Sequence, residues 1–116
     1  MANIPVLSQL ESYISLANKC ETVIASNMAN GDTPGYRTKD MDFQQELARA
    51  MAVPDDGTSR VAVHDVKGLL ERADGNNVDI DRQSLQLSET QLQYQMGTQL
   101  IEDRFHQLLS AINSEQ

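Results

Sequence analysis

The stretch Asn27-Met28-Ala29-Asn30-Gly31-Asp32-Thr33-Pro34-Gly35-Tyr36, called the corner below, decides how this chain folds. Asn30-Gly31 is expected to end a helix, because glycine takes the left-handed conformation of a C-terminal cap without steric cost. Pro34-Gly35 fits the centre of a type II turn, in which proline fixes φ and glycine accepts a positive φ. The corner therefore predicts that the two segments on either side leave it at a fixed angle, with the Tyr36 ring held in a defined direction.

Apolar residues recur at spacings of three and four on both sides of the corner and predict two long helices. The first helix is expected from about Ile4 to Asn30, and the second from near Asp81 almost to the C-terminus. We expect the two apolar stripes to pack together as an antiparallel or coiled-coil pair; their members are Leu7, Leu10, Ile14, Ile24 and Met28 in the first helix, and Leu92, Tyr94, Met96, Ile101, Phe105, Leu108 and Ile112 in the second. Gly97 inside the second helix suggests a close approach to another part of the chain.

The middle of the chain is short and mixed. Phe43, Leu47 and Met51 predict a small amphipathic helix that ends at Pro54-Asp55-Asp56-Gly57. Val61 and Val63 alternate with polar residues as in a strand, and Asp74-Gly75 is a turn pair suited to a hairpin. The predicted fold class is mainly α, divided into residues 1–43, 44–78 and 79–116. Two helices alone bury one stripe each, so self-association is expected.

Composition excludes several classes of function. The chain has 116 residues and a net charge of −8, and its lysines and arginines are scattered, so nucleic acid and anionic membrane surfaces are poor partners. No apolar run is long enough to cross a bilayer, and no cleavable secretion signal precedes Pro5. The single cysteine, Cys20, is interpreted as a small buried hydrophobic residue.

The polar faces of the two long helices carry few charges. Between Gln83 and Leu100 the only charged residue is Glu89, and the other polar residues are Gln, Ser and Thr. Solvated helix faces normally carry many Lys and Glu residues. Uncharged amides and hydroxyls can be buried without desolvating a charge, so both helices are expected to be contacted on more than one side.

Three groups of polar residues are candidates for sites of chemistry. The side chains of Asn27, Asn30 and Asp32 suit a metal or phosphate ion, but bonds to the backbone of the corner are the favoured interpretation. The run from Asp74 to Asp81 fails the spacing of a calcium loop. Asp40 and Asp42 are interpreted as solvated or arginine-paired carboxylates rather than a catalytic pair.

The histidines give no support for catalysis. His64 and His106 are far apart in the sequence, and neither has the spacing to Cys20 that a zinc site or a Cys/His pair requires. The sequence therefore predicts no enzyme, no cofactor, no metal and no small-molecule substrate.

Two blocks of the chain resemble the flagellar basal-body rod proteins. The corner with Ala25-Ser26 before it, followed by Lys39-Asp40-Met41-Asp42-Phe43, is similar to the family's N-terminal signature. The second block is Gly75-Asn76-Asn77-Val78-Asp79-Ile80-Asp81-Arg82, with Leu92-Gln93-Tyr94-Gln95 after it. Both blocks favour the B-type proximal rod members. Gly31 departs from the Ala or Val common there, and the short middle argues against hook and distal-rod members.

The resemblance implies a structural subunit of the proximal rod that is exported by the flagellar type III system. It would polymerise as a helical assembly into the torque-transmitting drive shaft in the periplasmic space. The implied partners are copies of itself, other rod proteins, and the basal adaptor that joins the rod to the membrane ring and export gate. Assembly is expected to involve Asn27, Asn30, Asp32, Thr33, Pro34, Gly35, Tyr36, Asp40 and Phe43. The alternatives are a C-type proximal rod protein and a small helical export chaperone or adaptor.

Overall fold

Two long helices run along most of the molecule and a small sheet lies beside the corner. The computed structural model describes residues 4–52 and 61–114. The elements are α1 (Ile4–Ala29), β1 (Lys39–Met41), α2 (Phe43–Ala52), β2 (Val63–Asp65) and α3 (Ile80–Ser114). The body measures 69 × 26 × 19 Å, so it is elongated along the helix pair. The predicted mainly α fold, with long terminal helices and a short middle containing strands, is confirmed; the three-part division of the chain stays a prediction.

Helices α1 and α3 form an antiparallel pair with a regular seam. Asn27 hydrogen-bonds Gln83, the Cys20 sulfur lies 3.6 Å from the Thr90 hydroxyl, and a Cβ on Gly97 would lie 2.9 Å from the Tyr13 ring. These contacts recur every seven residues along both helices, which is the repeat of a coiled coil. Gln83, Thr90 and Gly97 are the buried residues of α3. The seam of α3 is therefore made of polar residues and a glycine. Gly97 marks a close approach of Tyr13, as its position suggested.

Most large apolar side chains of α3 point away from the seam, which corrects the expected packing. Leu92, Met96, Phe105 and Ile112 are 58%, 55%, 55% and 52% exposed, so these four do not form the predicted stripe against α1 within one chain. Leu92 follows the seam residue Thr90 by two positions, which is roughly 200° around a helix. Of the other expected residues on α3, Ile101 and Leu108 are half-buried and Tyr94 is 38% exposed. On α1, Ile24 is buried, and Leu7, Leu10, Ile14 and Met28 are half-buried.

The core is concentrated toward the corner end of the helix pair. Its buried apolar side chains are Leu16, Ala17, Ile24, Met41 and Val78. Helix α2 is fixed to α1 by an edge-to-face contact between Phe43 and Tyr13, with ring centroids 5.4 Å apart and planes at 87°. Asp42 caps α2, because its carboxylate accepts a hydrogen bond from the Gln45 amide at 3.1 Å.

The two strands pair differently from the expected hairpin. β1 and β2 are antiparallel, with Lys39 opposite Asp65 and Met41 opposite Val63. The predicted strand around Val61 and Val63 is present only as β2, which begins at Val63. Its partner β1 follows the corner and was not predicted, because a three-residue strand is too short for alternation to be read. The predicted end of α2 at residues 54–57 lies outside the described residues.

Helix α3 starts at a capped N-terminus. The Asp79 carboxylate accepts a hydrogen bond from the Arg82 amide at 3.2 Å, which is the contact of a helix N-cap. Among residues 4–52 and 61–114, no helix combines the length and apolar character needed to cross a membrane.

Candidate functional site

The corner contains the turn that its sequence predicts. The Tyr36 amide donates a hydrogen bond to the Thr33 carbonyl at 3.2 Å, and Gly35 has a φ of 75°. A positive φ at the third residue of a turn with proline at the second defines type II geometry. The Pro34-Gly35 turn is therefore confirmed.

The end of α1 is capped in a different way from the expected glycine cap. Helix α1 ends at Ala29, and Gly31 does not have a positive φ. Instead the Asn30 side chain donates a hydrogen bond to the Ser26 carbonyl at 2.8 Å and accepts one from the Thr33 hydroxyl at 3.0 Å. A Cβ on Gly31 would lie 3.3 Å from the Ile80 side chain. Gly31 therefore serves close packing rather than left-handed geometry.

Asn27 is the centre of a buried hydrogen-bond network. Its amide nitrogen donates to the Lys39 carbonyl at 2.7 Å and to the Gln83 carbonyl oxygen at 3.0 Å. Its oxygen accepts from the Tyr36 hydroxyl and from the Lys39 amide, each at 3.0 Å. The side chain is 0% exposed, and all four of its hydrogen-bonding positions are used. One residue thus joins α1, the corner, β1 and α3.

A second loop, residues 71–79, closes over the corner through Asn76. The Asn76 side chain donates to the carbonyls of Asn30 and Thr33, each at 2.8 Å. Its oxygen accepts a hydrogen bond from the Val78 amide at 2.8 Å. Asn76 is 0% exposed, so its side chain binds the two carbonyls of the corner from inside the fold.

The backbones of the two loops touch directly. The Gly35 amide donates to the Asp74 carbonyl at 2.8 Å, and a Cβ on Gly75 would lie 3.3 Å from the Gly35 Cα. Asp74-Gly75 lies in the expected turn, because the Gly75 amide donates to the Arg72 carbonyl at 2.9 Å. No described strand follows this turn; it leads into α3, so the predicted hairpin is corrected.

Asn77 and Arg72 complete the contact between the loops. The Asn77 side-chain oxygen accepts a hydrogen bond from the Thr38 amide at 2.7 Å. The backbone carbonyl of Asn77 accepts another from the Thr38 hydroxyl at 3.2 Å. The Arg72 guanidinium donates to the Val78 carbonyl at 3.0 Å and also to the Gly31 carbonyl. We call the corner, Arg37–Met41 and residues 71–83 together the clasp.

The charged groups of the clasp sit at its edges. Arg82 and Asp40 form an ion pair at 3.5 Å with both side chains less than one third exposed, as the arginine-paired interpretation of Asp40 expects. Lys39 hydrogen-bonds Asp65 across the two strands, and this contact lowers the pKa of the exposed Asp65 carboxyl. Within the described part of the chain, the Arg82 Nη1 and Gln83 Nε2 donors are buried without a hydrogen-bond partner.

The structure places the predicted corner residues in two groups. Asn27 and Asn30 support the chain internally, and Tyr36 is half-buried with its hydroxyl on Asn27. Asp32, Thr33, Pro34 and Gly35 are exposed. Sequence reasoning assigned no role to Thr38, Arg72, Asn76, Asn77 or Gln83, which hold the clasp together. The resemblance of residues 75–82 to a family signature was the signal that pointed to part of this set.

The other candidates for chemistry are not gathered into a site. Both histidines, His64 and His106, are exposed. Residues 4–52 and 61–114 contain no group of three or more His, Cys, Asp or Glu side chains placed to hold a metal ion. Cys20 is half-buried on the seam, and this burial raises the pKa of its thiol. A raised pKa keeps the thiol protonated and less reactive at neutral pH.

Three curated proteins that are similar to this chain carry the same description. The chain is 31% identical to the flagellar basal body rod protein FlgB of Escherichia coli, over 90% of this chain and 90% of that protein. It is 31% identical to FlgB of Bacillus subtilis, over 91% and 92% of the two chains, and 28% identical to FlgB of Aeromonas hydrophila, over 89% of each. No family model matches the chain.

Proposed function

The chain belongs to the FlgB family of flagellar basal body rod proteins, and from this premise we propose that it is a subunit of the proximal part of the rod. It is a structural protein of the basal body. The observation that carries the proposal is similarity to FlgB along nine tenths of both chains.

The proposed role is mechanical. An elongated pair of helices with a fixed register transmits force along its axis without bending at a hinge. The clasp holds the turn at Pro34-Gly35 in one conformation and leaves its outer edge exposed. This exposed edge supports the proposal that Asp32, Thr33, Pro34 and Gly35 contact a neighbouring subunit, while Asn27 and Asn30 keep the turn rigid from inside.

We propose the partners and the route to the rod on the same basis. The partners are copies of this chain, other rod proteins and the basal adaptor beneath them. The chain reaches the periplasmic space through the flagellar type III export system with an uncleaved N-terminal signal. Each relative reported above is named as a rod protein of the basal body, and this favours FlgB over a C-type rod protein or an export chaperone.

Fractionation of purified basal bodies tests the proposal. We expect the chain to remain with the rod after the outer filament and hook are removed. A chaperone or adaptor would instead stay in the cell extract. Absence of the chain from basal bodies of a motile culture would contradict the proposed function.

A corner variant tests the role of the exposed turn. We expect Pro34→Ala with Gly35→Val to abolish swimming while the variant is still exported, because valine is strained at a φ of 75°. The matched control is Gly68→Val, which places the same residue at a φ of 82° in open surroundings outside the corner. Normal swimming of the double variant, or equal loss in the control, would show that the turn is not an assembly element.

A further inference from the structure

We propose that Asn30 is a site of spontaneous deamidation that the closed clasp protects, and that a chain modified there folds without a properly closed clasp. Asn30 is the only asparagine of the chain that precedes a glycine. Deamidation is fastest at such a pair, because glycine has no side chain to hinder attack by its own amide nitrogen. The reaction involves residues of one chain alone, so it does not depend on the rod function.

The reaction needs no partner other than water. The Gly31 amide nitrogen attacks the Cγ carbon of the Asn30 side chain and gives up its proton. The bond between Cγ and Nδ2 breaks, and the side-chain nitrogen leaves with that proton as ammonia. The resulting cyclic succinimide is opened by water at either of its two carbonyl carbons. One opening gives aspartate, and the other gives isoaspartate, in which the main chain passes through Cβ.

The folded chain restrains the attacking nitrogen. The Gly31 amide donates a hydrogen bond to the Met28 carbonyl at 3.1 Å, and Gly31 is buried. A buried and hydrogen-bonded amide loses its proton to a base in water only when the structure opens locally. The first step of the reaction is therefore suppressed while the corner keeps its conformation.

The Asn30 side chain is held in a position unsuited to the attack. Its Nδ2 donates a hydrogen bond to the Ser26 carbonyl at 2.8 Å, and its Oδ1 accepts one from the Thr33 hydroxyl at 3.0 Å. Ser26 lies one helical turn before Asn30, whereas the attacking nitrogen lies after it. Both hydrogen bonds must break before Cγ can turn toward the nitrogen of Gly31.

The peptide group between Asn30 and Gly31 is fixed on both sides. Its N–H is bound to Met28, and its carbonyl oxygen accepts hydrogen bonds from the Thr33 amide at 3.1 Å and the Asn76 side chain at 2.8 Å. Ring closure requires this peptide group to rotate about the bond between its carbonyl carbon and the Asn30 Cα, which breaks all three hydrogen bonds. Protection therefore depends on the second loop as well as on the corner.

Both products of the reaction disturb the clasp. Aspartate replaces the Nδ2 donor with an oxygen that faces the Ser26 carbonyl, and it puts a negative charge beside the C-terminal end of α1, where the helix dipole disfavours it. Isoaspartate lengthens the main chain by one carbon inside the corner. It also turns the carbonyl that Asn76 binds into a carboxylate outside the main chain. The second loop then loses the backbone positions that it binds.

An unfolded copy of the chain has none of this protection. Chemical modification of an unfolded chain competes with its folding and makes the loss of the native state irreversible. The pair Asn30-Gly31 is thus stable in a folded copy and reactive in a copy that stays unfolded. The time that a copy can spend unfolded and still fold correctly is limited by the reaction at this one asparagine.

Peptide mass spectrometry of the full chain, kept in mildly alkaline buffer with and without urea, tests the protection. We expect Asn30 to deamidate at least about tenfold faster in urea than in buffer. Gly31→Ala, compared with the unchanged chain in urea where the fold plays no part, should deamidate about tenfold more slowly, because its Cβ hinders the attack. Equal rates with and without urea, or no effect of Gly31→Ala, would overturn the proposal.

Two variants in buffer without urea test the part played by the clasp. Asn76→Ala removes the hydrogen bonds of its side chain to the carbonyls of Asn30 and Thr33, so deamidation of Asn30 should become about tenfold faster. Asn18→Ala, an exposed asparagine of α1, is the matched control and should leave the rate unchanged. Equal rates for the two variants would show that the clasp does not protect Asn30.

Refolding of aged chains tests the effect of the modification. Chains kept in urea until about half are modified at Asn30 are diluted into buffer, and size-exclusion chromatography separates compact chains from expanded ones. We expect isoaspartate at position 30 to be at least about tenfold enriched among the expanded chains, as the loss of several buried hydrogen bonds requires. Equal shares of isoaspartate in the two fractions would show that the modified chain still closes the clasp.

Discussion

The two ends of the α1–α3 pair are held by opposite kinds of contact. At the clasp, Asn27 and Asn76 are fully buried and hydrogen-bonded to both loops. At the far end, Phe105 and Ile112 are more than half exposed although they are large and apolar. Polar residues are thus buried where the fold is fixed, and large apolar residues are exposed at the far end. The comparison indicates that the contacts that stabilise the fold are concentrated at one end of the elongated molecule.

The largest effect is expected at the centre of the clasp. Asn27→Ala removes four hydrogen bonds and leaves buried groups of Tyr36, Lys39 and Gln83 without partners. We expect a loss of about 4 kcal/mol in the free energy of unfolding, measured by urea denaturation. Asn18→Ala, an exposed asparagine on the same helix, is the control and should change stability by less than about 0.5 kcal/mol. Equal midpoints of urea denaturation for the two variants would show that the buried hydrogen bonds of Asn27 do not stabilise the clasp.

The backbone contact between the loops gives the next largest effect. Gly75→Ala combines a φ of 86° with a Cβ only 3.3 Å from the Gly35 Cα, so both strain and steric overlap arise. We expect a loss of about 2–3 kcal/mol. Gly68→Ala has a similar φ of 82° but nothing within 4 Å, and should cost about 1 kcal/mol. Equal losses of stability for Gly75→Ala and Gly68→Ala would show that the contact between the two loops does not stabilise the fold.

A larger side chain at Gly97 tests how tightly the middle of the seam is packed. Gly97→Val places methyl groups against Tyr13 and Ile14, since a Cβ at this position already lies 2.9 and 3.0 Å from them. We expect a loss of about 2 kcal/mol, because α1 must move away from α3. Gln95→Val introduces the same side chain at an exposed position and should cost about 0.5 kcal/mol. Thermal unfolding followed by circular dichroism measures both.

The smallest effect on stability is expected at the C-terminal end of α3. Ile112→Ala should change the free energy of unfolding by less than about 0.5 kcal/mol, because Ile112 is 52% exposed. The same substitution at Ile24, which is 3% exposed, should cost about 3 kcal/mol. Similar losses at both positions would mean that the far end is packed as tightly as the clasp.

The sequence predicted the helices better than the contacts between them. Periodicity located α1 and α3, and turn chemistry located the Pro34-Gly35 turn, because both are local properties of the chain. The face of α3 that meets α1 was missed, because hydrophobicity favoured Leu92 and Met96 whereas the seam uses Thr90 and Gly97. Small residues allow helices to approach closely, and this geometric advantage is invisible to a pattern based on hydrophobicity.

The clasp shows a second reason why the sequence does not predict contacts between distant segments. Asn76 and Asn30 are separated by 46 residues, and their hydrogen bond depends on how two loops meet in space. An asparagine in a loop is ordinarily read as a local turn residue. Only the resemblance of residues 75–82 to a known signature connected the second loop with the corner before the structure did.

The polar seam has a mechanical consequence. A purely aliphatic interface lets one helix slide along the other by a turn of about 5.4 Å with little change in contacts. Here a slip of one turn would separate Asn27 from Gln83 and Cys20 from Thr90, and would drive a side chain into the space that Gly97 keeps for Tyr13. The helix pair is therefore held in one register, and sliding of α1 along α3 is opposed at three points of the seam.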